Sequence, residues 1–184
     1  MDASLSYRAA ANDRCTVRRA TPFHHNHLKS VLDVAAAARV PVLSEFDAAQ
    51  LLIEQDVFLA YAQERPIGCI MGMPGETTVL HGLFVVPGER GRGHGSELIR
   101  RAMAEFDAGG ITRTYWTAVD PALLGAQERF LKFGFDVVPE LSEDRLELMV
   151  RRAAVRTGAA TAFPVERVGR IANASSATRA ASAG

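Results

Sequence analysis

Cysteine is scarce in this 184-residue chain: Cys15 and Cys69 stand far apart, with no CxxC pair and no Cys/His spacing of the kind that holds structural zinc. That argues against a disulfide framework and makes a reducing compartment the simpler reading. Long apolar runs are missing too. None approaches the roughly 20 residues needed to span a bilayer, and the first residues, Met1 to Arg8, lack the apolar stretch of a secretory signal. The expectation is a cytoplasmic protein with no membrane partner. Net charge is also absent, with 21 basic against 21 acidic residues, so no general attraction to nucleic acid or anionic lipid is expected.

What is present fits one globular domain. Apolar residues make up 48% of the chain, and 184 residues suit a single core with one active site. Residues 1 to 14 are polar and aperiodic and read as an N-terminal extension. Residues 152 to 184 are rich in Ala, Arg and Ser with little to bury and read as a flexible tail; from Arg151 onward there are six arginines and one acid, Glu166. The tail reads either as a solvated appendage or as a partner-binding arm. The domain itself is expected over residues 15 to 151.

Between those limits strand-like and helix-like patterns alternate. Thr16 to Ala20 reads as a strand. Thr21 before Pro22 reads as a helix start, and Leu28, Val31, Leu32, Ala35 and Ala38 recur at helical spacing to about Arg39. Ser44 with Asp47 three residues on opens a second helix. Val57 to Gln63 and Ile67 to Met73 form a hairpin about Glu64-Arg65-Pro66, and Thr77 to Val86, apolar on both faces near its end, reads as a central strand. Leu98, Ile99, Ala102, Met103 and Phe106 make one apolar helical face that stops at Gly109-Gly110. Ile111 to Val119 is a strand, Asp120-Pro121 caps a helix ending at Gly134, and Phe135 to Val138 and Arg145 to Val150 supply two last strands. The order β-α-α-β-β-β-α-β-α-β-β implies an α/β protein with a mixed sheet, not a doubly wound one.

The informative segment is Leu83-Phe84-Val85-Val86-Pro87-Gly88-Glu89-Arg90-Gly91-Arg92-Gly93-His94-Gly95-Ser96, where strand becomes helix. Gly91, Gly93 and Gly95 leave the backbone bare, so successive N–H groups converge on an anion, and the positive end of the following helix adds to them. A pyrophosphate suits such a cradle. The Gly-Lys-Ser/Thr of a P-loop is absent, and the G-x-G-x-x-G of a dinucleotide fold fails because Ser96 stands at its last position. An RNA-binding Arg-Gly reading is disfavoured because the segment runs straight into an amphipathic helix and lacks interleaved aromatics. Arg90-Gly91-Arg92-Gly93-His94-Gly95 fits the pattern Gln/Arg-x-x-Gly-x-Gly/Ala.

In that segment, and in Ala126-Gln127-Glu128-Arg129-Phe130-Leu131-Lys132-Phe133-Gly134-Phe135, the chain resembles the GNAT superfamily of acetyl-CoA-dependent N-acetyltransferases. The resemblance covers about residues 15 to 151. It implies the GNAT acyl-CoA N-acyltransferase fold, with a central sheet that splays near Leu83 to Val86 so that Leu83, Phe84 and Val85 pair with a pantetheine arm. It puts pyrophosphate on the amides of Arg92, Gly93, Gly95 and Ser96, with Arg90 near the same phosphates and Gly91 and His94 in the same loop. Acetyl-CoA is then the co-substrate, with no metal, and a primary amine of a small molecule or a protein is the acceptor. Members of the family often pair, so a homodimer is an expectation.

Attack of an amine on a thioester needs the amine neutral, aimed, and relieved of its proton. The resemblance implies a base on the strand before the loop, where Glu76 and His81 are the candidates. Strand alternation puts His81 on the face of Leu83 and Val85, and imidazole titrates near neutrality. His81 reads equally as a core histidine satisfied by a backbone carbonyl, and Glu76 as a turn residue. The tyrosine that protonates the leaving thiolate in many members falls at Phe130, which has no proton to give, and the usual Asn position falls at Leu123. Tyr115 on the next strand, or solvent, would then serve as the acid; otherwise the protein binds acyl-CoA without turning it over. His24, His25 and His27 lack a nearby carboxylate or cysteine to complete a metal site and read as surface residues.

Overall fold

A computed structural model describes residues 15–38, 40, 47–121, 125–142 and 146–152. Seven strands form one sheet in the order β1-β2-β3-β4-β5-β7-β6. They are β1 (Thr16–Arg19), β2 (Asp56–Ala62), β3 (Arg65–Met73), β4 (Thr77–Val85), β5 (Thr114–Val119), β6 (Asp136–Val137) and β7 (Glu147–Arg152). The helices among the described residues are α1 (His25–Ala37), α2 (Ala48–Glu54), α3 (His94–Ala108) and α4 (Ala126–Leu131). The β4–β5 pair is parallel and the other pairs are antiparallel, which makes the mixed sheet and element order expected from the pattern. No helix among the described residues is long and apolar enough to cross a membrane.

Cross-strand pairing fixes which side chains share a face. Phe58 pairs with Ile70 and Leu80 with Gly72. Phe106 of α3 packs edge-on against Phe58, with ring centroids 5.7 Å apart, and its ring fills the space a Gly72 side chain would need. Leu98, Ile99, Ala102, Met103 and Phe106 are the buried stripe of α3, at helical spacing, so α3 covers this face. Val57, Leu59 and Met71 point the other way, where α1 buries Leu28, Val31, Leu32 and Ala35. His27 of α1 meets the Tyr61 hydroxyl at 3.0 Å on that side. Each leucine so buried is worth about 2 kcal/mol of transfer free energy, which makes the two helix layers the main source of the core's stability.

Several boundaries differ from the sequence expectation. The hairpin turn is Gln63-Glu64, both at positive φ (49° and 65°), so Arg65 and Pro66 belong to β3 instead of the turn. Positive φ at both central residues matches the twist of the flanking strands, and the Arg18–Glu64 ion pair ties the turn to β1. The second helix is capped by Asp47, whose carboxylate accepts from the N–H of Ala49 (2.8 Å) and Gln50 (3.1 Å); Ser44 lies outside the described residues. Asp120 and Pro121 are not helical, and residues 122–124 after them lie outside the described residues. α4 starts after Gly125, which has φ 84°, and Leu123 lies outside the described residues. The N-terminal extension and the tail from residue 153 also lie outside them.

Candidate functional site

The parallel pair carries the site. β4 and β5 are joined at Thr77↔Thr114, Thr78↔Tyr115 and Val79↔Trp116, and among the described residues no further rung links them. Beyond that point β4 stays on β3 as far as Val85, while β5 stays on β7 as far as Val119. The two central strands therefore part. Over Leu80 to Val85, roughly 20 Å of strand, the β4 edge that faced β5 has no strand partner. Polar backbone left open inside a sheet calls for an external partner, and an extended chain with amides of its own is the natural one.

A second feature sharpens the parting. Met71 pairs with His81 but Cys69 pairs with Phe84, so Gly82 and Leu83 together oppose Ile70. This is a β-bulge, with Gly82 at φ 62°. It reverses the alternation along β4. His81 and Phe84 face the α1/α2 layer, and Val85 faces α3, so His81 does not share a face with Val85 as plain alternation predicted.

At the end of the parted edge the chain turns through Pro87–Glu89 into the glycine segment. The Glu89 carboxylate, with its side chain only 12% exposed, gathers Arg65 from β3 (2.5 Å), Arg92 (3.1 Å) and His94 (3.8 Å). Arg90 folds back along β4: its Nε donates to the Val85 carbonyl (2.9 Å) and its guanidinium lies 5.5 Å over the Phe84 ring. Gly91 and Gly93 adopt φ of 80° and 87°, a region other residues enter only with strain, and a Cβ on either would meet nothing within 4 Å. The loop is thus bare on its outer surface. The first bond within α3 runs from Glu97 N–H to Gly93 C=O (3.1 Å), which leaves the N–H groups of His94, Gly95 and Ser96 without helical acceptors at the positive end of a 15-residue helix. An open groove of about 550 Å³ between α1 (Ser30, Val34), Arg65-Pro66 and Val86 to Glu89 lies beside this loop and is distinct from the parting of β4 and β5.

A family profile described as Acetyltransferase (GNAT) family matches residues 29–135. The chain belongs to the GNAT acetyltransferase family. No curated protein matches the sequence. Among solved structures, it resembles a GNAT-family acetyltransferase from Streptococcus pneumoniae, with TM-score 0.63 and 16% identity over 76% of this chain and 100% of that one. The PaiA N-acetyltransferase from Thermoplasma acidophilum in complex with coenzyme A gives TM-score 0.63 and 15% identity over 76% and 99%. An acetyltransferase from Thermus thermophilus gives 0.56 and 22% over 76% and 97%. At these identities the likeness speaks for the fold.

In this GNAT chain the candidate acid–base residues are spread apart. His81 bonds through Nε2 to Oε1 of Gln55, the residue that ends α2, at 2.6 Å, and burial lowers its pKa from the ordinary 6.5. Glu76 precedes the paired end of β4, away from the opening. Its side chain is 68% exposed, it lies 3.6 Å from Arg113, and its carbonyl accepts from the N–H of Arg113 and Thr114. The Tyr115 hydroxyl is turned to α3, where it donates toward the Asp107 carboxylate (2.6 Å) and the Met103 carbonyl (3.1 Å). Burial, then the Asp107 hydrogen bond, push its pKa up, so this hydroxyl is a poor proton donor to the cleft. Phe130 is 3% exposed and packs edge-on against Phe135 at 5.1 Å.

Sequence reasoning passed over three residues that the fold brings to the site. Glu89 organises the loop, and Gln55 orients His81. Glu147 pairs with Val119 at the open end of the parting and buries Oε2 with no hydrogen-bond partner among the described residues. Tertiary pairing reveals them: Glu89 reaches Arg65 on β3 as well as its neighbour Arg92, Gln55 reaches His81 26 positions on, and Glu147 is placed by its pairing with Val119.

Proposed function

We propose that the chain is an acetyl-CoA-dependent N-acetyltransferase that moves the acetyl group to a primary amine by direct attack on the thioester. The parting of β4 from β5, ending on a bare glycine loop at the start of α3, is the observation that carries this reading. The residues fit the co-substrate. Unbonded N–H groups at Gly95 and Ser96 suit a pyrophosphate, and the open edge from Leu80 to Val85 matches the amides of a pantetheine arm. Acetyl-CoA supplies an activated acyl carbon and a thiolate that leaves readily.

The chain's own residues orient and relieve the amine. His81 faces the α1/α2 layer, opposite the α3 face that bears the loop, so an acceptor entering from the α1/α2 side meets the imidazole first. Held by Gln55 and with a lowered pKa, His81 is neutral at pH 7 and accepts a proton from the attacking amine, directly or through water. Glu76 has no such access, and Tyr115 is committed to Asp107, so solvent is the simplest source of a proton for the departing thiolate.

The absence of a hydroxyl at Phe130, together with the committed Tyr115, favours one rival: an acyl-CoA-binding module without turnover. Thiol release from acetyl-CoA, followed across a panel of small amines and lysine peptides, separates the two. Amine-dependent release that falls in His81→Gln supports the transferase. Tight acetyl-CoA binding with no release from any amine supports the module.

A further inference from the structure

The loop arginines named by the sequence are both spoken for, Arg90 by the Val85 carbonyl and Arg92 by Glu89. A third arginine stands where they were expected. Arg129 of α4 lies against the first turn of α3: a Cβ on Gly95 would sit 3.4 Å from its Cδ, Nε and Cζ atoms. Arg129 is half-buried, and no carboxylate among the described residues pairs with it. Its guanidinium therefore rests partly desolvated against the positive end of a helix, beside three N–H groups that also seek an acceptor. Two groups of like polarity held together without a counter-charge are a poor arrangement for the free protein and a good one for an anion placed between them.

We propose that Arg129 is the cofactor's cationic clamp: its guanidinium closes over a diphosphate seated on the α3 N-terminus, so that the anion is held from the loop on one side and from α4 on the other. Without a side chain at Gly95 the guanidinium lies directly along the backbone of the first turn of α3. The planar fork suits two phosphate oxygens at once, which a lysine would match only as a point charge. The proposal rests on the acetyl-CoA reading above and adds a residue to it.

The test is calorimetric titration of CoA and of dephospho-CoA into wild type, Arg129→Met and Arg129→Lys, with melting temperature measured on each free protein. Methionine keeps the unbranched stem against Gly95 and removes the charge. Arg129→Met is expected to weaken both ligands by the same factor, on the order of tenfold, with Arg129→Lys in between. The free Arg129→Met protein should melt no lower than wild type, because the charge it loses had no partner. Unchanged affinity with a lowered melting temperature would mean that Arg129 only packs, and overturns the proposal. A loss seen with CoA but not with dephospho-CoA would assign the guanidinium to the 3′-phosphate and overturns the diphosphate placement. Wild type that binds neither ligand would instead sink the acetyl-CoA reading itself.

Discussion

Gly93 separates the two demands that the loop makes on its residues. At φ 87° any other residue pays for a left-handed backbone, about 1–2 kcal/mol, yet a Cβ there meets nothing within 4 Å. In the free protein Gly93→Ala and Gly93→Trp therefore carry the same backbone penalty, and the Cβ of either meets open space. For a chain of this size the penalty lowers the melting temperature by roughly 2–8 °C in both. Binding should then divide them. If phosphate oxygens approach the loop amides to hydrogen-bond distance, an indole at Gly93 stands in their path and removes one or more charge-assisted bonds, each worth about 1.5–3 kcal/mol. Acetyl-CoA affinity should fall on the order of tenfold or more in Gly93→Trp and clearly less in Gly93→Ala. Melting by circular dichroism and titration calorimetry measure both terms on one sample. A Gly93→Trp protein that unfolds cooperatively and binds acetyl-CoA as wild type does would refute the placement of the anion.

Three further predictions concern the residues around the cleft. Burial lowers the His81 pKa below 6.5, so above pH 6.5 the group is neutral folded or unfolded, while from 6.5 down to its folded value the unfolded chain takes up a proton that the folded one refuses. Stability should decline across that acid window, and His81→Gln should flatten the decline and abolish the acid limb of kcat/KM. Tyr115→Phe removes a buried hydroxyl from Asp107 and Met103; it should cost about 1–2 kcal/mol in urea unfolding and leave kcat unchanged, and a large drop in kcat would restore Tyr115 as the acid. Glu147→Met removes a buried carboxylate oxygen that has no partner among the described residues, so the free protein should melt higher; a lower melting temperature would reveal a partner for Oε2.

The parts of the fold that rest on local pattern were legible. The stripe Leu98, Ile99, Ala102, Met103 and Phe106 announced α3 and its buried face, and the alternate glycines announced a bare loop at its start. What depends on pairing between distant strands was hidden. Period-two alternation assigned His81 to the face of Val85, and only the bulge opposite Ile70 turns it to the α1/α2 layer. The family resemblance likewise put Arg90 near the phosphates, and only the fold shows its guanidinium turned back onto the Val85 carbonyl and the Phe84 ring. Tyr115 read as a cleft residue from its strand, but its hydroxyl follows the face that α3 covers. Arg129 was visible only as one letter of the second motif, because its position against Gly95 depends on how α4 crosses α3.

The central claim is that the parted β4–β5 edge and the glycine loop together form an acetyl-CoA site. Titrating acetyl-CoA into the wild-type protein by calorimetry tests it most directly. One-to-one binding that weakens on the order of tenfold or more in Gly93→Trp is the predicted result; no measurable binding by a folded wild-type protein would contradict the account.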